Sequence, residues 1–171
     1  MIYLDFILII VLLICLLTDI KSRKIYNKIL LPGLIAALLL NIFNSGLNGL
    51  VDSVLGLLLG FGILLIPYLM GGMGAGDVKL LSVIGAFKGP MFVFTTAIYM
   101  ALVGGLIAIV ILIFKSGFFQ KLKNWRLALS SMKYGLSMFV PSKDSMKKTF
   151  PYGVAIVAGA FLSFFLDGVV I

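Results

Sequence analysis

Long apolar runs separated by short polar segments dominate the pattern of the chain. These runs cover residues 2–18, 29–43, 50–70, 78–89, 91–114 and about 151–167. A helix needs about 20 apolar residues to cross the hydrocarbon layer of a bilayer, so runs of this kind predict membrane-spanning helices. The run at 78–89 is the shortest. As a helix it would therefore cover only about 18 Å of a layer about 30 Å thick.

The composition agrees with lipid as the surrounding solvent. Of the 171 residues, 62% are hydrophobic and 12% are charged, which is about half the charged fraction of a soluble domain. We therefore predict one polytopic membrane domain, residues 1–171, in contact with the lipid bilayer. The chain has no His and a single cysteine, Cys15, which excludes His-ligated metal sites and Ser-His-Asp or Cys-His catalysis. No metal and no cofactor is predicted.

The distribution of positive charge decides whether residues 78–89 cross the membrane. Lys and Arg accumulate in cytoplasmic loops, which also accounts for the net charge of +8 without a nucleic-acid partner. If 78–89 turned back within the membrane, the basic segment 115–150 would lie outside. If it crosses, 13 of the 14 basic residues lie inside. We therefore predict an all-α membrane protein with six transmembrane helices in the plasma membrane and both termini outside.

The segment between the last two spans predicts one further helix. Its apolar residues recur at spacings of three and four: Phe118, Leu122, Trp125, Leu129, Met132 and Leu136. Such residues share one face of a helix, and polar and basic residues occupy the rest. The pattern predicts an amphipathic helix over about 117–139 that lies on the cytoplasmic leaflet. Contact with a substrate is an alternative role for this helix.

Two of the six acidic residues, all of them Asp, are predicted to lie together. The other four lie near the outer ends of spans or in the basic loop: Asp5, Asp52, Asp167 and Asp144. Asp19 ends the first span and Asp77 begins the fourth, so both lie at the cytoplasmic boundary. The carboxylates of Asp19 and Asp77 can therefore meet.

Two carboxylates at one depth provide the reacting groups of an aspartic protease. At a separation of about 3 Å they share one proton, because ionising both is strongly unfavourable. The ionised carboxylate takes a proton from water as general base, while the protonated one polarises the scissile carbonyl. The alternative is that Asp19 and Asp77 are helix-end charges paired with Lys21 and Lys79.

Glycines directly before Asp77 favour the catalytic interpretation. Four of them lie in the segment that joins the third and fourth spans: Gly71, Gly72, Gly74 and Gly76. Irregular backbone at membrane depth is tolerated where it lines a water-filled cavity, and glycine lets a substrate strand approach closely. A short helix that begins below the membrane surface places Asp77 in a recess that water can reach, as hydrolysis requires.

Three segments of the sequence resemble a known family. The segment 74–80 (GAGDVKL) looks like the GxGD motif of membrane aspartyl proteases. Together with the segment 18–27 (TDIKSRKIYN) after the first span and the segment 150–155 (FPYGVA) at the last span, it is similar to the type IV prepilin peptidase family. The resemblance is greatest to the short CpaA/TadV-like branch and covers essentially the whole chain.

This resemblance implies that Asp19 and Asp77 are the catalytic pair. It also implies that residues of the matching segments bind the substrate or shape the site: Asn27, Gly74, Gly76, Lys79, Pro151 and Gly153. The expected substrate is a prepilin-like membrane protein whose short basic leader is cut at the cytoplasmic membrane face. Family members often have Pro where this chain has Tyr26, which leaves the backbone shape of that loop open. Pro151 has a structural alternative as the first residue of a helix.

Two other functions stay open at this point. A small proton- or ion-coupled transporter component would use intramembrane acids as ion ligands, but neither Asp19 nor Asp77 is predicted near the midplane. A non-catalytic subunit of a pilus or secretion assembly would need neither carboxylate. Longer members of the family also methylate the new N-terminus, and a single cysteine gives no support for the cysteine-rich domain that those members carry.

Overall fold

The computed structural model describes residues 2–22, 24–114 and 152–170, and within these ranges the regular elements are α-helices. They are α1 (Ile2–Ser22), α2 (Asn27–Leu69), α3 (Ala75–Phe114) and α4 (Tyr152–Val170). The chain divides into two compact units, residues 1–104 with 151–171 and residues 105–150. Only the last turns of α3 represent the second unit among the described residues. The predicted helix at 117–139 lies outside them.

Three of the described helices are long and apolar enough to cross a membrane: Tyr3–Ser22, Asn27–Leu69 and Ala75–Ile111. A shorter apolar helix covers Tyr152–Leu166. Large apolar side chains are exposed on each of the four, for example Phe6, Phe43, Leu102 and Phe165. A soluble protein rarely exposes so many contiguous apolar side chains. The predicted all-α fold with apolar, membrane-type helices is therefore confirmed in the described part of the chain.

Helix α2 folds back on itself at Gly46. With 43 residues, a straight helix would be about 65 Å long, about twice the thickness of the hydrocarbon layer. Gly46 has a non-helical backbone with a φ of 60°, a left-handed conformation that glycine adopts without steric penalty. A Cβ on Gly49 would overlap the backbone carbonyl of Asn41, whereas these residues would be about 12 Å apart along a straight helix. The second and third predicted spans therefore correspond to the two segments of α2.

Helix α3 breaks in the same way at Gly89. This glycine has a φ of 84°, and the following Pro90 has no N–H with which to continue the helical hydrogen bonds. Beyond the break, α3 packs against α4, and a Cβ on Gly104 would lie 3.6 Å from the Cβ of Ala155. The predicted short fourth span corresponds to residues 75–88.

The first segment of α3 is the most deeply buried part of its unit. Its buried apolar side chains are Val78, Leu80, Leu81, Val83, Ile84, Ala86 and Phe87. Glycines on α2 allow close backbone approach, since a Cβ on Gly56 would overlap the carbonyl of Gly85. Packing of small residues is a main source of helix association in lipid. Because protein surrounds this segment, its length does not have to match the thickness of the lipid layer.

A buried asparagine compensates for the break in α3. In a regular helix the carbonyls of Ala86 and Phe87 would accept hydrogen bonds from residues 90 and 91, but Pro90 has no N–H to donate. Nδ2 of Asn41 donates to the Ala86 carbonyl at 3.0 Å and to the Phe87 carbonyl at 3.3 Å. Asn41 thus ties the first segment of α2 to the end of the buried segment of α3.

We expect Asn41→Leu to lower the thermal stability of the protein. The substitution removes the donor for two buried carbonyls, and leaving a buried polar group unsatisfied costs about 1–3 kcal/mol. Thermal unfolding of the detergent-purified protein would measure the change in Tm. Asn44→Leu is the matched control, because Asn44 is exposed at the same end of the helix and its replacement should change the Tm little. Equal values of Tm for the two variants would contradict this role.

An ion pair joins α1 to α3 near the break at Gly89. Nζ of Lys88 lies 2.9 Å from Oδ1 of Asp5, and the same ammonium lies 4.9 Å from the ring centroid of Phe164 on α4 and 5.2 Å from that of Phe92. Asp5, predicted to lie near the end of its span, therefore has a packing role at the opposite end of the fold from Asp19. A partly exposed pair of this kind contributes about 0.2–1 kcal/mol.

Candidate active site

Asp19 and Asp77 both lie buried at the end of their unit opposite Gly46 and Gly89. Asp19 is in the last turn of α1 and 7% exposed, and Asp77 is in the first turn of α3 and 9% exposed. Acidic side chains are rarely buried to this extent without a partner or a function. The two carboxylates are close enough to interact electrostatically. The structure therefore brings together the two acids that the sequence pattern places at one boundary.

The backbone of Gly74 holds the Asp77 carboxylate in place. The Gly74 N–H donates a hydrogen bond to Oδ2 of Asp77 at 3.2 Å, and the Asp77 N–H donates to the Gly74 carbonyl at 3.1 Å. The first of these bonds is one half of a capping box, in which the side chain of the third helical residue accepts from the N–H of the residue that precedes the helix. The second is a backbone bond of the first turn. The glycine-rich segment thus fixes the position of one oxygen of Asp77.

Gly76 allows the chain that follows α1 to pass against the start of α3. A Cβ on Gly76 would lie 2.9 Å from the Cβ of Ile25 and 3.5 Å from its carbonyl oxygen. A side chain at this position would push the two segments apart, and Asp19 lies only six residues before Ile25. Ile25 was not predicted as a site residue, although it lies inside the segment 18–27 that carries part of the resemblance.

Gly153 leaves the space that the Asp19 side chain occupies. A Cβ on Gly153 would lie 2.5 Å from Oδ2 and 2.7 Å from Cγ of Asp19, which is closer than such atoms approach. The first turn of α4 therefore lies directly against this carboxylate. The neighbouring Pro151 lies outside the described residues.

Asn27 and Lys79 form a polar contact between the start of α2 and the start of α3. Nζ of Lys79 donates a hydrogen bond to Oδ1 of Asn27 at 3.1 Å, which joins the first residue of α2 to the start of α3. The alternative interpretation paired this lysine with Asp77, whereas the structure places its ammonium on the asparagine. Among the described residues, no group of three or more His, Cys, Asp or Glu side chains is placed to hold a metal ion.

Comparison with known proteins agrees with the resemblance carried by these segments. Residues 6–113 match the Type IV leader peptidase family, and this range contains Asp19, the Gly74 turn, Asp77 and Lys79. The chain belongs to the type IV leader peptidase family. This match confirms the predicted family.

One curated relative aligns with most of this chain. The prepilin leader peptidase/N-methyltransferase of Bacillus subtilis (strain 168) is 28% identical to it over 156 residues. The alignment includes 90% of this chain and 51% of the relative, so the chain spans about half the length of that protein. No solved structure matches the chain.

Most of the residues that the sequence pattern and the resemblance single out lie at one end of the fold. Those that the structure describes there are Asn27, Gly74, Gly76, Lys79 and Gly153, of which Gly74 contacts Asp77 and Gly153 contacts Asp19. Their catalytic and site-shaping roles in this leader peptidase family member remain predictions.

Proposed function

We propose that the chain is an intramembrane aspartic endopeptidase that removes the short basic leader of prepilin-like membrane proteins. The observation that carries this proposal is the buried pair of carboxylates, Asp19 and Asp77, at one end of the helices. Membership of a leader peptidase family supports peptide hydrolysis as the reaction. The name of the relative, prepilin leader peptidase, supports the class of substrate.

The proposed reaction uses one water molecule and one proton shared by the two carboxylates. The ionised carboxylate removes a proton from the water, whose oxygen attacks the scissile carbonyl carbon, while the protonated carboxyl donates a hydrogen bond to the carbonyl oxygen. When the C–N bond breaks, the carboxyl that accepted the proton donates it to the leaving amine. Aspartic chemistry of this kind needs no metal and no cofactor.

The residues around the pair support a fixed arrangement of the reacting groups. Gly74 holds Oδ2 of Asp77 through its backbone N–H, and Gly153 provides room for the Asp19 carboxylate next to α4. Holding reacting groups in position is worth a large part of an enzyme's rate enhancement, and misplacement by about 1 Å can cost about 100-fold. The glycines therefore act in this proposal through the positions of the two carboxylates.

We further propose that the chain crosses the plasma membrane six times, with the active site at the cytoplasmic face and both termini outside. The breaks at Gly46 and Gly89 support this topology, because each divides a long helix into two segments. The positive-inside rule supplies the orientation. A basic leader that remains in the cytoplasm would then meet the end of the fold at which Asp19 and Asp77 lie.

Cysteine labelling tests this topology. In a Cys15→Ala background, which removes the native buried thiol, we expect Ser45→Cys to react with a membrane-impermeant maleimide added outside intact cells. Ser22→Cys should react only after the membrane is permeabilised. Both serines are exposed in the fold, so a lack of reaction would reflect the side of the membrane. Labelling of Ser22→Cys in intact cells would contradict a cytoplasmic site.

A cleavage assay tests the proposed activity itself. The purified chain is reconstituted in liposomes with a membrane protein that carries a short basic leader, a glycine and then about 20 apolar residues. We expect mass spectrometry to show loss of the leader and a new N-terminus directly before the apolar helix. Proton flux into the same liposomes without any cleavage would contradict the proposal and favour the transporter.

A further inference from the structure

A polar pocket lies at the end of the fold opposite Asp19 and Asp77, between the breaks at Gly46 and Gly89. It has a volume of about 380 Å³. The two breaks bring its walls together, since a Cβ on Gly89 would lie 4.0 Å from the Cβ of Asp52. The proposed cleavage mechanism uses none of the charged and polar residues that line it: Asp5, Asn41, Ser45, Asp52, Ser53 and Lys88.

A buried hydroxyl in this lining has no partner among the described residues. Ser53 is 1% exposed, and its Oγ makes no hydrogen bond to the part of the chain that the structure describes. A serine inside a helix can bond a carbonyl one turn earlier, as Ser82 does to the Val78 carbonyl at 2.8 Å. Leaving such a group unsatisfied costs about 1–3 kcal/mol. The Ser53 hydroxyl therefore points to a ligand that enters the pocket.

The pocket offers charges of both signs to such a ligand. Nζ of Lys88 lies 2.9 Å from Oδ1 of Asp5, and this contact uses one of the three N–H donors of the ammonium. Asp52 is exposed, and no Lys or Arg of the described residues forms an ion pair with it. A ligand that carries both an ammonium and an anionic group would therefore match Asp52 and Lys88 together.

A second hollow leads from the pocket along the surface of α3. It has a volume of about 250 Å³ and is lined by Lys88, Met91, Phe92 and Thr95. Lys88 and Met91 also line the polar pocket, so the two spaces are adjacent. From Lys88 to Thr95 the hollow extends about 10 Å along the helix, and Met91 is 77% exposed at its side. A polar pocket at the helix ends followed by an apolar hollow reproduces the order of headgroup and acyl chain in a lipid.

On this basis we propose that the pocket binds the zwitterionic headgroup of an aminophospholipid such as phosphatidylethanolamine. The primary ammonium of the lipid donates hydrogen bonds to the Asp52 carboxylate and to Oγ of Ser53. The phosphate accepts from the ammonium of Lys88, and an acyl chain follows the hollow toward Thr95.

This inference goes beyond the proposed function and does not depend on it. The pocket lies at the opposite end of the fold from the candidate active site, so the lipid would not take part in cleavage. Its binding is therefore measured directly.

The test compares two lipids that differ only in the ammonium group. The full chain, purified in detergent, is titrated in a calorimeter with dihexanoyl phosphatidylethanolamine or dihexanoyl phosphatidylcholine. Both carry the same phosphate, but the quaternary ammonium of phosphatidylcholine has no N–H to donate. We expect phosphatidylethanolamine to bind at least about tenfold more tightly, equivalent to about 1.4 kcal/mol.

Variants assign the two charges of the headgroup to their partners. Asp52→Asn should reduce the preference for phosphatidylethanolamine to about twofold or less without changing the affinity for phosphatidylcholine. Ser53→Ala should weaken phosphatidylethanolamine alone, by about fivefold. Lys88→Met should weaken both lipids by a similar factor, because both carry the phosphate. Ser82→Ala is the matched control, because this buried hydroxyl is bonded within its own helix and does not line the pocket. It should change neither affinity.

Three outcomes would overturn the inference. Equal affinities of the unmodified chain for the two lipids would show that no ammonium group is recognised. Free phosphoethanolamine that binds as tightly as phosphatidylethanolamine would make the ligand a soluble molecule and not a lipid. If Ser53→Ala bound phosphatidylethanolamine as the unmodified chain does, water would be the partner of that hydroxyl, and the headgroup would not lie in this pocket.

Discussion

Asp19→Asn and Asp77→Asn are each expected to lower the rate of leader cleavage by at least about 100-fold. Asparagine has nearly the same size as aspartate, so the packing of α1 and α3 around the buried site is preserved. The amide cannot take a proton from water and cannot share one with the remaining carboxylate. The measurement is kcat for a prepilin-like substrate in liposomes, with the amount of inserted protein determined for each variant.

Substitutions of the acids at the opposite end provide the controls for this experiment. Asp52→Asn changes an exposed residue and should leave cleavage nearly unchanged. Asp5→Asn removes the ion pair with Lys88 and should cost at most a small part of the stability. Near-normal cleavage by Asp77→Asn would contradict the protease proposal. Loss of cleavage in Asp144→Asn together with normal cleavage in Asp19→Asn would instead pair Asp77 with a loop acid.

The proximity of Asp19 and Asp77 was predictable because hydropathy and charge both constrain depth in a membrane. Apolar runs give the ends of helices, and the positive-inside rule assigns those ends to one side. These constraints place Asp19 and Asp77 at one depth. The burial of both carboxylates does not follow from depth alone, because it also depends on the direction in which each side chain points.

Contacts within the bundle could not be predicted in this way. Asn41 is only one polar residue in an apolar run, and its role depends on which carbonyls Pro90 leaves without donors and on which helix lies opposite. The ion pair of Lys88 with Asp5 likewise depends on the neighbours that α1 acquires after folding. Hydropathy gives the depth of a residue in the membrane but not the direction in which its side chain points around the helix.

The space that Gly153 leaves for the Asp19 side chain could not be predicted from hydropathy either. It gives rise to the second large expected effect. Gly153→Ala should lower kcat about 100-fold while changing KM much less. The new Cβ would lie 2.5 Å from Oδ2 of Asp19, so the carboxylate has to move away from its position near Asp77. Displacement of a reacting group by about 1 Å has this order of effect on the rate. The measurement is kcat and KM on the full-length substrate, together with the Tm of the purified variant.

A second glycine of α4 distinguishes a displaced carboxylate from general damage to the helix. A Cβ on Gly159 would lie 2.7 Å from the backbone nitrogen of Met100 and 2.9 Å from the carbonyl oxygen of Thr96, about 9 Å along α4 from Gly153. Gly159→Ala should therefore lower the Tm but leave kcat per folded molecule close to normal. If both variants lost stability and kcat in proportion, Gly153 would act only through helix packing. If Gly153→Ala cleaved normally, α4 would not constrain the Asp19 carboxylate during the reaction.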